Sequence, residues 1–69
     1  MNEFLDKMSA VMEMPVEPRT KFRETEGWSS LKAFGILVTL ENDFSKRMSL
    51  AEFSGFSTIG ELAAACGIG

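Results

Sequence analysis

Apolar residues in this chain recur every three or four positions and nowhere alternate, a pattern that restricts the fold to packed helices. Between Asn2 and Met14, the residues Phe4, Leu5, Met8, Val11 and Met12 fall on one helical face. Asn2 is the expected N-cap, with Glu3 in the first turn. Pro15 and Pro18 end this helix and open an extended loop that runs to about Ser29. The loop is polar except for Val16, Phe22 and Trp28, which are expected to plug into the core, and Gly27 marks a turn.

A second helix is predicted from Ser29 or Ser30 to about Phe44, with a serine hydroxyl capping its first turn. Its apolar side chains separate into two stripes. Ala33, Ile36, Leu37, Leu40 and Phe44 form one, and Leu31, Phe34 and Val38 form the other. A small bundle buries the first stripe readily. The second is either covered by a neighbouring segment or left as a partner surface. Two shorter helices follow, each opened by a capping-box pattern: Ser49 with Glu52, and Thr58 with Glu61. Ser54-Gly55 breaks the first of these, and Gly67 and Gly69 end the second helix and the chain. The predicted fold is all-α, a four-helix bundle of three main helices and one short one, with a long first loop.

A chain of 69 residues forms one domain, here 1–69, because chains of this size bury only about 60% of their unfolded surface. The absence of histidine removes any imidazole base, any Ser-His-Asp or Cys-His pair and the usual Cys/His zinc site. A self-sufficient enzyme is therefore disfavoured against a carrier or binding module. Cys66, the single cysteine, cannot form an internal disulfide and reads as a small apolar residue near a helix end. Arg19, Lys21 and Arg23 are the only basic cluster, and Glu17, Glu24 and Glu26 lie among them. That segment reads as a solvated charged loop, so no nucleic-acid partner is expected. The N-terminus lacks a signal-peptide pattern, and the uncharged stretch Ala33 to Leu40 is far shorter than the roughly 20 residues of a membrane span. A cytoplasmic, monomeric and soluble protein is expected, and Met1 with compact ends fits a free-standing one.

The segment Gly27-Trp28-Ser29-Ser30-Leu31 sets a serine after a glycine turn, at a helix start, before a leucine. Together with the order of elements, it resembles the acyl carrier protein family. That family's four-helix bundle has a Gly-x-Asp-Ser-Leu stretch at the start of its second helix. Leu40-Glu41-Asn42-Asp43-Phe44 resembles the end of that helix, and Met48 to Leu62 resembles the third helix, the joint and the fourth helix. The likeness covers roughly Glu3 to Ala65. It implies a phosphopantetheine arm on Ser30, the serine directly before the leucine, with Ser29 as the rival position. The arm's thiol would hold acyl groups as thioesters, with no catalytic residue needed in the chain itself.

The resemblance also implies partners: a phosphopantetheinyl transferase, an acyl-loading enzyme, and a synthase or acyltransferase that uses the thioester. Leu31, Phe34, Val38 and Glu41 are the expected partner-binding residues. Part of an acyl chain is expected between helices, near Phe34, Leu37, Met48, Phe53 and Ile59. Two departures stand out. Ser29 occupies the place of the family's aspartate, and Lys32 stands where an acid is common, so steering toward a basic partner should be weaker. An unmodified carrier-like module serving as a protein–protein interaction subunit is the alternative. A third possibility is an unrelated helical module whose serines only cap a helix.

Overall fold

The computed structural model describes residues 1–68 and contains four α-helices: α1 Asn2–Met12, α2 Ser30–Phe44, α3 Leu50–Ser54 and α4 Ile59–Ala65. A single 3-10 turn at Phe22–Glu24 interrupts the long loop, an element the sequence pattern did not announce. The core consists of Phe4, Met8 and Met12 from α1, Ile36 and Leu40 from α2, Phe53 from α3, and Ile59, Leu62 and Ala63 from α4, joined by Val16 and Phe22 from the loop. Both α2 and α4 pack on α1. The buried positions of α1 are the i, i+4, i+8 set of its predicted face, while Leu5 and Val11 flank that set half-buried.

Two helix ends differ from expectation. Asn2 is the first residue inside α1 and does not cap it; Met1 holds the cap position, without a side-chain bond. At the other end α1 stops at Met12, two residues short of Met14, because Glu13 turns left-handed at φ 60°. Pro15 disfavours helical geometry at Met14, so the chain turns out before reaching it. Gly67, at φ 79°, follows α4 as expected, and Gly69 lies outside the described residues.

The long loop is held on three sides. The Val16 N–H donates to Ser9 Oγ on α1 (3.2 Å), and the Ile59 and Gly60 N–H groups donate to the carbonyls of Thr20 (3.1 Å) and Pro18 (2.7 Å). The last contact requires glycine, since a Cβ on Gly60 would stand 2.9 Å from the Pro18 oxygen. Phe22, with no exposed surface, packs against Trp28 and Phe53 at centroid separations of 5.5 and 5.2 Å.

Arg23 is the main correction to the solvated-loop reading. Its guanidinium lies over the rings of Phe22 and Phe53, 4.8 and 4.9 Å from their centroids. It donates through Nη2 to the Phe53 carbonyl (2.5 Å) and through Nη1 to the Phe56 carbonyl. One carbonyl lies in the last turn of α3 and the other two residues beyond it, so the arginine ties the end of the five-residue helix and the turn after it to the loop.

Both predicted capping boxes form. Ser49 Oγ accepts from the Glu52 N–H (3.1 Å) while Glu52 Oε1 accepts from the Ser49 N–H (3.0 Å). Glu61 Oε1 accepts from the N–H groups of both Ser57 (2.5 Å) and Thr58 (3.0 Å), and the Thr58 hydroxyl accepts from the Glu61 N–H (3.2 Å). These donors hold both carboxyls below the ordinary glutamate range, chiefly the Ser49 backbone N–H for Glu52 and the Ser57 backbone N–H for Glu61. A carboxyl whose folded pKa is lowered adds stability above its unfolded value, about 4.3, and loses it as pH falls through the folded value. Urea unfolding between pH 6 and pH 3 should therefore show falling stability. In Glu61→Gln that fall should be shallower, and an unchanged pH slope would rule out the Glu61 contribution.

Candidate functional site

Ser30 is the first residue of α2 and is exposed; Ser29 precedes it at the N-cap in extended geometry (φ −153°, ψ 168°). The Ser29 carbonyl accepts from the N–H groups of Lys32 (3.1 Å) and Ala33 (3.2 Å). Its hydroxyl, however, makes no capping bond, contrary to the expected serine cap. Neither serine hydroxyl enters a side-chain hydrogen bond among the described residues. No acid lies in the first turn of α2. The longest helix thus begins with open N–H groups and the positive end of its dipole facing outward, while α3 and α4 are closed by capping boxes.

Lys32 adds to this polarity. Its ammonium lies beside the Gly27 turn, where a Cβ would come within 3.4 Å of Nζ. Gly27 itself, at φ 82°, supplies the left-handed bend that carries the loop into α2. An exposed hydroxyl, uncommitted helix N–H groups and a nearby cation form a place where a phosphodiester is electrostatically favoured.

The two serines border different hollows. Ser30 lines an open groove of about 570 Å³ between α2 and α3, together with Trp28, Phe34, Leu50, Phe53 and Arg23. Ser29 lines a second hollow of about 460 Å³ toward α1, with Val11, Glu13 and Lys32. Phe53 is 3% exposed and forms the floor of the first groove, whereas Phe34 and Leu50 are 64% and 66% exposed and form its rims. Of the residues expected beside an acyl chain, Phe34 and Phe53 line this groove. Leu37 and Met48 pack half-buried against the core, and Ile59 is fully buried within it, so those three do not line this groove. Arg23, Trp28 and Leu50 were missed. The available signal was the pairing of loop aromatics with an adjacent arginine.

The second α2 stripe is exposed: Leu31 at 79%, Phe34 at 64% and Val38 at 41%. Glu41 is exposed, but it pairs with Arg47 at 3.2 Å, and Asp43 stands 4.0 Å from Lys7. Cys66 sits half-buried at the end of α4, and that burial pushes its thiol pKa up, so it is no ready nucleophile. No group of His, Cys, Asp or Glu among the described residues could hold a metal ion. No described helix is long and apolar enough to cross a membrane.

The family described as "Phosphopantetheine attachment site" matches residues 2–66, a span that includes all four helices. Its members carry phosphopantetheine covalently on a serine. No curated protein and no solved structure matches the chain.

The open end of α2 has a thermodynamic consequence. Ser29→Asp places a carboxylate where the present side chain makes no bond and where the dipole favours negative charge. It should stabilise the fold by about 0.5 kcal/mol, raising Tm by roughly 2–4 °C. Thermal melts at low salt test this, and a lower Tm would show that the end of α2 is already satisfied.

Proposed function

We propose that this chain, which belongs to the phosphopantetheine attachment-site family as an acyl carrier-type domain, bears its phosphopantetheine on Ser30. In this reading it shuttles acyl intermediates as thioesters between enzymes of a fatty acid, polyketide or related secondary pathway. The observation that carries the assignment is the position of Ser30: exposed, first in α2, beside open N–H groups, and on the wall of the α2–α3 groove. Ser29 shares the helix end but borders the hollow toward α1.

The residues fit the group. The Ser30 and Leu31 N–H groups and the helix dipole would favour the phosphodiester, and the Lys32 ammonium beside the Gly27 turn would add positive charge to that end of the helix. The bound group supplies a thiol, which is the chemistry a chain without histidine and with a half-buried cysteine does not supply itself. Activation of the Ser30 hydroxyl falls to the phosphopantetheinyl transferase, because no general base is at hand in the chain. An acyl-loading enzyme and a synthase or acyltransferase complete the set of partners, acting on a cytoplasmic monomer.

Docking by these partners is assigned to Leu31, Phe34 and Val38, with Glu41 at the far end of the stripe. The exposed apolar surface supports this, and the charge pattern gives it a particular character. The first half of α2 carries Lys32 and no acid, and Glu41 is already engaged by Arg47. Apolar contact then supplies most of the affinity, so binding should vary little with ionic strength.

Co-expression with a broad-specificity transferase, followed by intact-mass measurement, tests the assignment. One added phosphopantetheine is expected, lost in Ser30→Ala and kept in Ser29→Ala. Ser29→Asp should quicken the modification by restoring an acid before the serine. Modification that survives Ser30→Ala and disappears in Ser29→Ala would move the site to Ser29. A folded protein that gains no mass with any transferase would favour an unmodified interaction subunit.

A further inference from the structure

Two hollows flank the start of α2, and Glu13 is the one acid that lines either of them. The other charged lining residues are Arg23 in the α2–α3 groove and Lys32 in the hollow toward α1. Together with the positive end of the α2 dipole, they make the surroundings of Ser30 cationic. Glu13 alone in the lining offsets that charge. It is exposed, and among the described residues its carboxylate enters no ion pair and no side-chain hydrogen bond. Other acids are committed: Glu41 to Arg47, Asp43 to Lys7, and Glu52 and Glu61 to their capping boxes.

The backbone fixes where Glu13 stands. It ends α1 at φ 60° and ψ 32°, and its N–H donates to the Ser9 carbonyl. That left-handed geometry favours glycine, so nothing in the local conformation calls for a glutamate. Leu31 and Phe34 line both hollows. An enzyme seated on the exposed α2 stripe therefore also covers the rim of the hollow toward α1 and comes to Glu13.

Transfer onto Ser30 places a demand on that enzyme. The bond from Ser30 Oγ to phosphorus forms, and a phosphoanhydride P–O bond of the donor breaks. The hydroxyl proton passes to the enzyme's base, and the nucleotide half of the donor leaves with its own phosphate. An enzyme that holds so anionic a donor does it with cations, either metal ions or basic side chains. Its cationic centre must approach the cationic start of α2, and like charges repel at short range. We infer that Glu13 is the docking contact that offsets this repulsion, pairing across the hollow with a cation of the enzyme that modifies Ser30. This rests on modification at Ser30. It gives α1, a helix outside the apolar stripe, a share in selecting the modifying enzyme.

Steady-state modification by a broad-specificity transferase, read by intact mass, tests the contact. Glu13→Gln should lower kcat/KM about fivefold through KM, the equivalent of one surface ion pair. Glu13→Gly removes the same carboxylate but suits the left-handed backbone, so its Tm should not fall while its modification slows equally. Ser29→Asp puts an acid on the lining of the same hollow. In that background Glu13→Gln should cost about twofold or less, because the enzyme's cation finds a second carboxylate. Unchanged rates in both Glu13 variants overturn the inference and leave carriage on Ser30 intact. A loss that persists undiminished in the Ser29→Asp background overturns it too, since Glu13 would then act away from the start of α2. A slower rate confined to a Glu13→Gly protein of lower Tm makes the residue structural and overturns it as well. A folded, unsubstituted protein that gains no mass removes the modification itself, and the inference with it.

Discussion

The insertion of Phe22 and Arg23 beneath α3 is the contact on which the rest of the architecture depends. In a chain this short, four helices of useful length do not fit, and α3 spans only five residues. Such a helix has little side-chain surface of its own to bury. Phe22 gives Phe53 an aromatic neighbour in the core, and the adjacent guanidinium covers both rings while taking the carbonyls of Phe53 and Phe56. The loop therefore does the work a longer third helix would do. Since α3 hangs from the loop and not from a broad contact with α2, the space between the two helices stays open as the groove that Ser30 borders.

The opening of α2 follows the same logic of unsatisfied backbone. At α3 and α4 a Ser or Thr and a Glu close the helix start reciprocally. At α2 the residue three beyond Ser29 is Lys32, which cannot accept from a backbone N–H, so no box forms. The hydroxyl of Ser29 also stays out of the first turn. The N–H groups of Ser30 and Leu31 are left to water or to an anion. A helix start that is slightly unfavourable in the bare protein would become favourable if, as proposed, a phosphodiester were attached there.

Much of this could be read from the sequence because it depends on short-range rules. The face of α1, the two stripes of α2 and both capping boxes need only helical spacing and the chemistry of residues three apart. The positions of Val16, Phe22 and Trp28 were legible because a polar loop has little other reason to carry them. What was not legible depends on contacts far apart in sequence. Arg23 looked like one of a mixed-charge run, and its role appears only when Phe53 and Phe56, some thirty residues on, are brought to it. The same holds for the groove. Of the residues expected beside an acyl chain, only Phe34 and Phe53 line the surface groove, while Ile59 lies in the buried core and Leu37 and Met48 pack half-buried against it. The end of α1 differed at shorter range: the proline ends the helix as expected, but its effect reaches two residues further back than Met14.

Charge on α2 separates two ways a carrier surface can be recognised. Acids along a recognition helix act at a distance and raise encounter rates, but they discriminate poorly between basic partners. Here the acids that remain are partnered within the molecule, Glu41 by Arg47 and Asp43 by Lys7, and such surface pairs contribute little to folding, about 0–1 kcal/mol. Their larger effect is to cancel the long-range field at the end of the helix. With that field cancelled, the proposed docking face consists of Leu31, Phe34 and Val38, whose attraction acts only at contact and depends on shape. Phe34 belongs both to that face and to the rim of the groove, so a partner that covers it also reaches the groove that Ser30 borders. Selectivity among partners would then follow from how each one fits a phenylalanine and a leucine at a single helix end, a narrower criterion than charge.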